Sequence, residues 1–482
     1  KPKSYKTIGQ IYKIKVDSVW HDISTPAQIL LYFSKEDNKP TYGDIYLISE
    51  SPRDIEGPKS PLEFDYKTFQ RRRGINQHHF LRKGDFEKVG YKPKSKIFKW
   101  SYALNEMAGE KLNTLISNKA NRAVAEAMLS GSKDDLDNEV REAYATAGAI
   151  HILAVSGLHV GILFIMINFI FVFLNKHKKT KWLYAILTIS CLWAYALFTG
   201  LSPSVTRATL MFSLFQLGTM LDRDKNSINT LAASAFILLC INPNWLFEVG
   251  FQLSYLAIFG ILYLYPYLNE LYQSKNWLLT NLWQISMISI AAQLFTVPLS
   301  IYYFHQFPSY FLITNPIVTV LSMGVLFFGI PSLLFSWVPY LSDILTGLLD
   351  ITLNILNKSI FAISALPNSR LSGFSVSSFE VILLYFFVFL ILLFLIKREP
   401  KFLFTGLFIF CSLAFWNIRQ DWSQEKQKEI TFHFIPRSSG FSLIDSKSAV
   451  FITDSATANN DRAYNFHLKN YYDDKGVVKY TT

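Results

Sequence analysis

The chain has 482 residues, half of them hydrophobic and 16% aromatic, with a mean hydropathy of +0.21. That composition excludes a disordered chain and indicates several membrane spans diluted by soluble parts. Its 47 lysines and arginines against 36 acidic residues leave a formal charge of +11, which suits a polyanionic ligand or an anionic membrane surface. The three cysteines, Cys191, Cys240 and Cys411, lie inside apolar runs without metal-like spacing and read as small buried hydrophobes. The opening Lys1-Pro-Lys carries neither methionine nor signal sequence, as expected of a chain missing an upstream membrane anchor.

Residues 5 to 50 alternate apolar and polar in short runs, Ile8 to Val16, Ala27 to Phe33 and Asp44 to Ile48, broken by Asp, Asn, Pro and Gly. Period-two runs of this kind predict the strands of a small β-domain, and a five-stranded barrel fits the length. Residues 67 to 99 hold eleven basic residues against two acidic ones, with Phe69, Phe80, Phe86, Tyr91, Phe98 and Trp100 nearby. Charge for phosphates and rings for bases are what a single strand binds. Arg71, Arg72, Arg73, Arg82, Lys83, Lys94 and Lys96 are the candidates for that work. The alternative stays open: a solvated basic face with the aromatics in the core.

Residues 101 to 145 show apolar positions near a 3.6 period and predict amphipathic helix, lying on the membrane or packed on a bundle. About ten apolar segments follow, roughly at 152–174, 182–200, 207–221, 228–241, 245–265, 278–303, 311–336, 341–365, 379–397 and 402–416. The short basic loops at 176–181 and 397–401 belong on the cytoplasmic side. The front end and the C-terminal tail then lie on the periplasmic or outer side. The predicted divisions are 1–100, 101–149, 150–416 and 417–482.

Several segments fall short of the ~20 residues of a full span, and Pro/Gly breaks at 200–207 and 242–245 mark discontinuous helices around a cavity. Arg207 follows one break at the start of a helix, where a passing phosphate would be favoured. Headgroup snorkelling or pairing with Glu248 is the competing use. Glu248, Gln252 and Tyr255, with Ser254 beside them, lie on successive turns and suit a lumen or interhelical hydrogen bonds. His151, Ser156, Gly157 and His159 stand at the head of the first long apolar run. Ser156 and His159 share a helical face, but a nucleophile and base also need an orienting group and an oxyanion site. Close packing is the commoner use of such small residues, so no enzyme is expected.

Short strands are predicted at 430–435, 440–445 and 449–453, forming a small sheet with His433 and His467 as its only histidines. Neither a metal site nor a cofactor is expected there. No GxxxxGK[ST] loop occurs, so any ATP-driven motor is a separate protein.

The run Gly148-Ala-Ile-His-Ile-Leu-Ala-Val-Ser-Gly-Leu-His-Val160 resembles the signature of the ComEC family, the inner-membrane channels of natural DNA uptake. Its approach follows the same pattern in Gly131-Ser-Lys-Asp-Asp-Leu-Asp137 and Tyr144-Ala-Thr-Ala-Gly148. So do Ser202-Pro-Ser-Val-Thr-Arg-Ala208 with Met211, Asn242-Pro-Asn244 and Val249-Gly-Phe-Gln-Leu-Ser-Tyr-Leu-Ala257. Pro61-Leu-Glu-Phe-Asp-Tyr66 and Gly74-Ile-Asn-Gln77 resemble the family's external OB-like domain.

The resemblance implies a polytopic membrane bundle with an OB-like β-barrel outside and a small β-rich tail. In the family a pilus brings in the duplex, and one DNA strand passes the inner membrane to the cytoplasm. The implied partners are single-stranded DNA, the lipid bilayer, a periplasmic DNA receptor and a cytoplasmic helicase or motor. Longer members carry a metallo-β-lactamase-like nuclease domain with a His-x-His-x-Asp-His motif. The tail here lacks that motif and reads as a remnant without nuclease activity. The alternative is a relative recruited as a scaffold among other envelope proteins.

Overall fold

The computed structural model describes residues 4–176, 180–221, 226–435, 438–458, 460 and 463–481. The basic loop expected at 176–181 therefore lies partly outside the described residues. The chain folds into two compact units. One gathers the residues up to Lys94 with Ile301–His305 and those from Ser372 on; the other is Ser95–Ser300 with Gln306–Leu371.

The first unit opens with a long hairpin, Ser4–Val16 antiparallel to Val19–Ser34. Asp17 and Ser18 both take positive φ, 46° and 69°, as a two-residue turn between twisted strands requires. Ile75–Leu81 joins the second strand in parallel, and Arg53–Asp54 pairs beyond it. Ile29, Leu31, Phe33 and Leu81 form one small core with Tyr46, Ile48 and Phe86, while Leu30, Ile55 and Ile75 form another. Asp44–Ile48 and Phe86–Tyr91 make a separate two-stranded ribbon. The expected barrel is thus corrected: the strands are there, but among the described residues no sheet closes. The reason is a parallel pairing that the hydropathy pattern does not encode.

The same unit holds two membrane-length helices, Ser378–Lys397 and Pro400–Gln424, and the C-terminal sheet. Lys428–Ile435, Ser438–Asp445 and Ser448–Thr453 run antiparallel, and Lys479–Thr481 adds in parallel. Ile435, Ile444, Ala449 and Phe451 bury against Leu468, Tyr471 and Tyr472.

Helices dominate the second unit. Across both units each of the ten expected apolar segments is mainly helical, and among the described residues eight helices are long and apolar enough to cross a membrane. The chain is a multi-pass membrane protein. At 1.5 Å per residue, Ser227–Ile241 reaches only about 22 Å against a ~30 Å hydrocarbon core, and Pro203–Met220 is more polar than the eight. Cys240 and Cys411 are exposed on helix surfaces, which corrects the expectation of three buried thiols; in a bilayer those surfaces meet acyl chains.

The helix Lys96–Leu115 buries Ser101, Ala108 and Leu112, and Asn105 donates to the carbonyls of Ser130 and Phe198. Its other face leaves Ile97, Trp100, Leu104 and Met107 exposed. The helix Lys119–Leu129 is buried almost throughout and carries a polar chain into the core. Tyr144 donates to Asn357 (2.7 Å), Asn357 to Asn121 (2.8 Å) and Asn121 to Asp350 (2.8 Å). Polar groups removed from water need such partners, and this chain ties Lys119–Leu129 and Asn138–Thr146 to Pro339–Ser364.

Candidate functional site

Two sets of residues stand out, one in each unit. In the first unit, strand register sets Lys6 opposite Tyr32 and Tyr32 beside Phe80, in one row across three strands. Tyr32 and Phe80 stack with centroids 4.5 Å apart and planes 14° from parallel, yet Phe80 stays 60% exposed. Lys6 Nζ lies 5.9 Å from the Tyr32 ring and 5.5 Å from the Tyr66 ring, and donates to the Tyr66 hydroxyl at 3.0 Å. His78 packs edge-on to Phe80, and Arg53 sits opposite it in the next row.

Asp65 caps the short helix Tyr66–Arg71 by accepting from the Thr68 amide at 2.8 Å, and that helix delivers Tyr66 and Phe69. The Arg73 guanidinium carbon stands 4.2 Å from the Phe69 ring centroid. Burial, then the Tyr66 hydroxyl, pushes the Tyr32 phenol up, so it stays neutral as a donor. Burial, then Arg53, lowers His78, which therefore presents a neutral ring at pH 7. The result is a ring surface, exposed at Phe80 and half-buried at Tyr32 and Tyr66, with cations at its edge; bases stack on exposed rings while phosphates meet charge.

Of the front-end candidates, Arg71, Arg72 and Arg73 close this helix, Arg82 and Lys83 sit in the next turn, and Lys94 precedes the boundary between the units. Lys96 opens a helix of the second unit. All seven are exposed. The aromatics divide between the two readings: Phe86 joins the core, whereas Phe80, Tyr91 and Trp100 are exposed. Sequence reading missed Lys6, Tyr32 and Tyr66, because register and a helix, not proximity in sequence, bring them to Phe80.

The second set lies where helix amino ends meet. Gly157–Phe171 and Pro203–Met220 run parallel: a Cβ on Gly157 would lie 3.6 Å from Ala208, one on Gly161 3.3 Å from Phe212, and Phe164 stacks on Phe212. Arg207, buried in the second of these helices, donates through Nη2 to Gly250 O and Ser254 Oγ, both at 3.0 Å. Gly250 and Ser254 belong to the first turns of Val249–Asn269, which begins just after Glu248. Three helix amino ends therefore share one end of the unit, around a guanidinium whose Nε has no hydrogen-bond partner.

Ser156 and His159 cap the first of these helices. The Ser156 amide donates to His159 Nδ1 at 2.9 Å, and the serine hydroxyl lies 2.9 Å from the same nitrogen. His159 Nε2 is buried without a hydrogen-bond partner, so no third group orients the ring as a base. The pair is a capping box with histidine at its third position.

Arg207, Ser254 and Gly157 are thus brought to one place, with Glu248 in electrostatic reach of Arg207. His151 sits in the preceding 3-10 turn, exposed, with Nδ1 3.1 Å from Gly148 O. Gln252 instead donates to Leu246 O at 3.0 Å. Below Arg207 the same helix buries Thr209, Ser213 and Gln216. Tyr184 and Asn168, joined at 2.6 Å, extend this polar interior to the neighbouring helices. The i, i+4, i+7 spacing of those three polar residues was a readable signal. Among the described residues, no His/Cys/Asp/Glu group is arranged to hold a metal.

These features define a polytopic membrane protein with an aromatic, cationic sheet face and a polar seam between parallel helices. Residues 128–399, more than half of the chain, match the family model described as "Competence protein", and the chain belongs to that family. It is the ComEC family that the motifs resemble.

The chain is 31% identical over 248 residues to "ComE operon protein 3" of Bacillus subtilis (strain 168), covering 47% of this chain and 30% of that one. It is 29% identical over 235 residues to an "Uncharacterized protein" of Aquifex aeolicus (strain VF5), covering 48% and 53%. The matched region spans about half or less of each curated relative. No solved structure matches.

Proposed function

We propose that this protein receives single-stranded DNA on the sheet face of residues 1–100 and passes it through the bundle of residues 150–416 to the cytoplasm during natural transformation. The inner membrane is its site, with the front end and the C-terminal sheet on the outer side. The observation that carries the reading is the Phe80 ring, exposed and stacked on the half-buried Tyr32, with Tyr66 beside them and the Lys6 ammonium at their edge. Membership of the competence family supports DNA as the polyanion. In the bundle, Arg207 and the three helix amino ends favour a passing phosphate, and the Thr209, Ser213 and Gln216 stripe supplies a polar wall.

Photo-cross-linking tests the reading. A thymine-rich oligonucleotide carrying 5-iodouracil, irradiated with the full chain in nanodiscs, should attach to the peptide holding Phe80 or Tyr32. Attachment confined to Trp100, or to neither region, would sink the sheet face as the DNA surface.

A further inference from the structure

The loop leading into the platform helix is held by the C-terminal sheet, within the same compact unit. Lys428–Ile435 is an edge strand of that sheet, so alternate backbone groups lack a strand partner. Ser60 takes the place of one. Its hydroxyl accepts from the Phe434 amide at 2.9 Å and lies 3.2 Å from the Phe434 carbonyl, to which it donates.

Glu63, on the same loop, is nearly out of water, with 8% of its side chain exposed. One carboxylate oxygen accepts from the Lys59 and Ser60 amides at 2.8 and 3.0 Å. The other lies 2.8 Å from Nδ1 of His467, whose side chain is 11% exposed and which lies in the segment between the strands Ser448–Thr453 and Lys479–Thr481. Lys59 Nζ stands 4.5 Å from the Phe434 ring, and Asn470 donates to Leu62 O at 3.3 Å. Two residues past Glu63 comes Asp65, the cap of the helix carrying Tyr66 and Phe69.

We propose that the C-terminal sheet is a positioning clamp for the nucleic-acid face: Phe434, His467 and Asn470 fix the loop of residues 59–63, and thereby the placement of Tyr66 and Phe69. Its functional half rests on the DNA reading above; its structural half does not. Ser60, Glu63 and His467 are positioning residues, since none belongs to the ring surface itself. A buried carboxylate held by two amide donors, with an imidazole nitrogen against its other oxygen, is costly to leave without these neighbours, so the loop should loosen when one is removed.

The experiment is hydrogen exchange of the full chain in nanodiscs, followed by binding of a dT oligonucleotide. Ser60→Ala and His467→Leu should each speed amide exchange across residues 59–66 by about tenfold, a loss of the order expected for removing one hydrogen bond or one close polar neighbour of a buried carboxylate. Protection of Ser438–Asp445 should be unchanged, which shows that the sheet itself remains folded. Ser60→Thr keeps the hydroxyl and should restore both protection and affinity. DNA affinity of the two loosened variants should fall severalfold with an unchanged salt slope, because no phosphate contact is removed.

Unchanged exchange at 59–66 in both variants overturns the clamp. Faster exchange with undiminished DNA affinity overturns the positioning role and leaves a merely structural tie. A wild-type chain that binds no DNA defeats the functional reading, while the exchange result still decides whether the sheet holds the loop.

Discussion

Replacing Phe80 and Lys6 separately should split the two ways in which the sheet face holds a strand. Phe80 is 60% exposed, so Phe80→Ala removes little buried area and should cost roughly 1 kcal/mol of stability or less. What it deletes is the outer ring of the Tyr32 stack. A base–aromatic stack contributes ~1–3 kcal/mol, so the dissociation constant for a dT oligonucleotide should rise about 5- to 150-fold. The dependence of log K on log salt should not move. Lys6→Gln keeps the rings but removes the ammonium between Tyr32 and Tyr66, and should lower the salt slope by about 0.7. The assay is fluorescence anisotropy of the full chain in nanodiscs at several salt concentrations. If Phe80→Ala changes neither affinity nor slope, or both variants change the same quantity, the stacking account is wrong.

Other sites give independent tests. Arg71, Arg72 and Arg73 neutralised together should weaken strand binding and reduce the salt slope with little change in melting; an unchanged slope removes these arginines from the binding account. Gly260→Ala would put a Cβ 2.5 Å from the Ala291 carbonyl and 2.6 Å from Phe295, so the helix crossing must open. A stability loss of ~1–3 kcal/mol is expected in detergent, and a wild-type melt would contradict that packing. Asn121→Leu removes one of two side-chain donors from the Asp350 carboxylate and strands the Asn357 amide, and should destabilise the helical unit by about 1–3 kcal/mol. Denaturation monitored by intrinsic fluorescence checks it, and no loss would mean the chain of amides is dispensable.

Burial, then His467, lowers His433 to about 4, below its unfolded value of ~6.5. Stability from the neutral ring is therefore complete above pH 6.5 and lost as pH falls toward 4. Exchange protection of the C-terminal sheet should follow that window, and His433→Leu should flatten it. A window retained in His433→Leu would assign the titration to another group.

The helices were legible for a simple reason: a lipid-facing helix must be apolar over its length, and the ten segments announced themselves by composition alone. Arg207 and Ser254 stood out beside the polar breaks, but the hydrogen bond between them did not. What the pattern could not supply was long-range pairing. Alternation predicted the strands Ser4–Val16 and Val19–Ser34, but nothing local says that Ile75–Leu81 pairs in parallel and leaves the sheet open. For the same reason the platform was only half visible: Phe80 stood out in a basic run, whereas Tyr32 reaches it through register and Tyr66 through a six-residue helix. The Glu63 and His467 pair was invisible, because more than four hundred residues separate a loop and a tail that fold together.

The central claim is conduction, and import into proteoliposomes tests it most directly. The purified chain, reconstituted with an imposed ion gradient, would be offered labelled single-stranded DNA, and label protected from external nuclease would be measured. The account predicts protected label with the wild-type chain and its loss in Arg207→Glu that still melts as a folded protein. Protected label that Arg207→Glu leaves unchanged would contradict the path through the helix amino ends. No protected label, together with no binding of the strand to the Lys6, Tyr32 and Phe80 face, would contradict the channel itself.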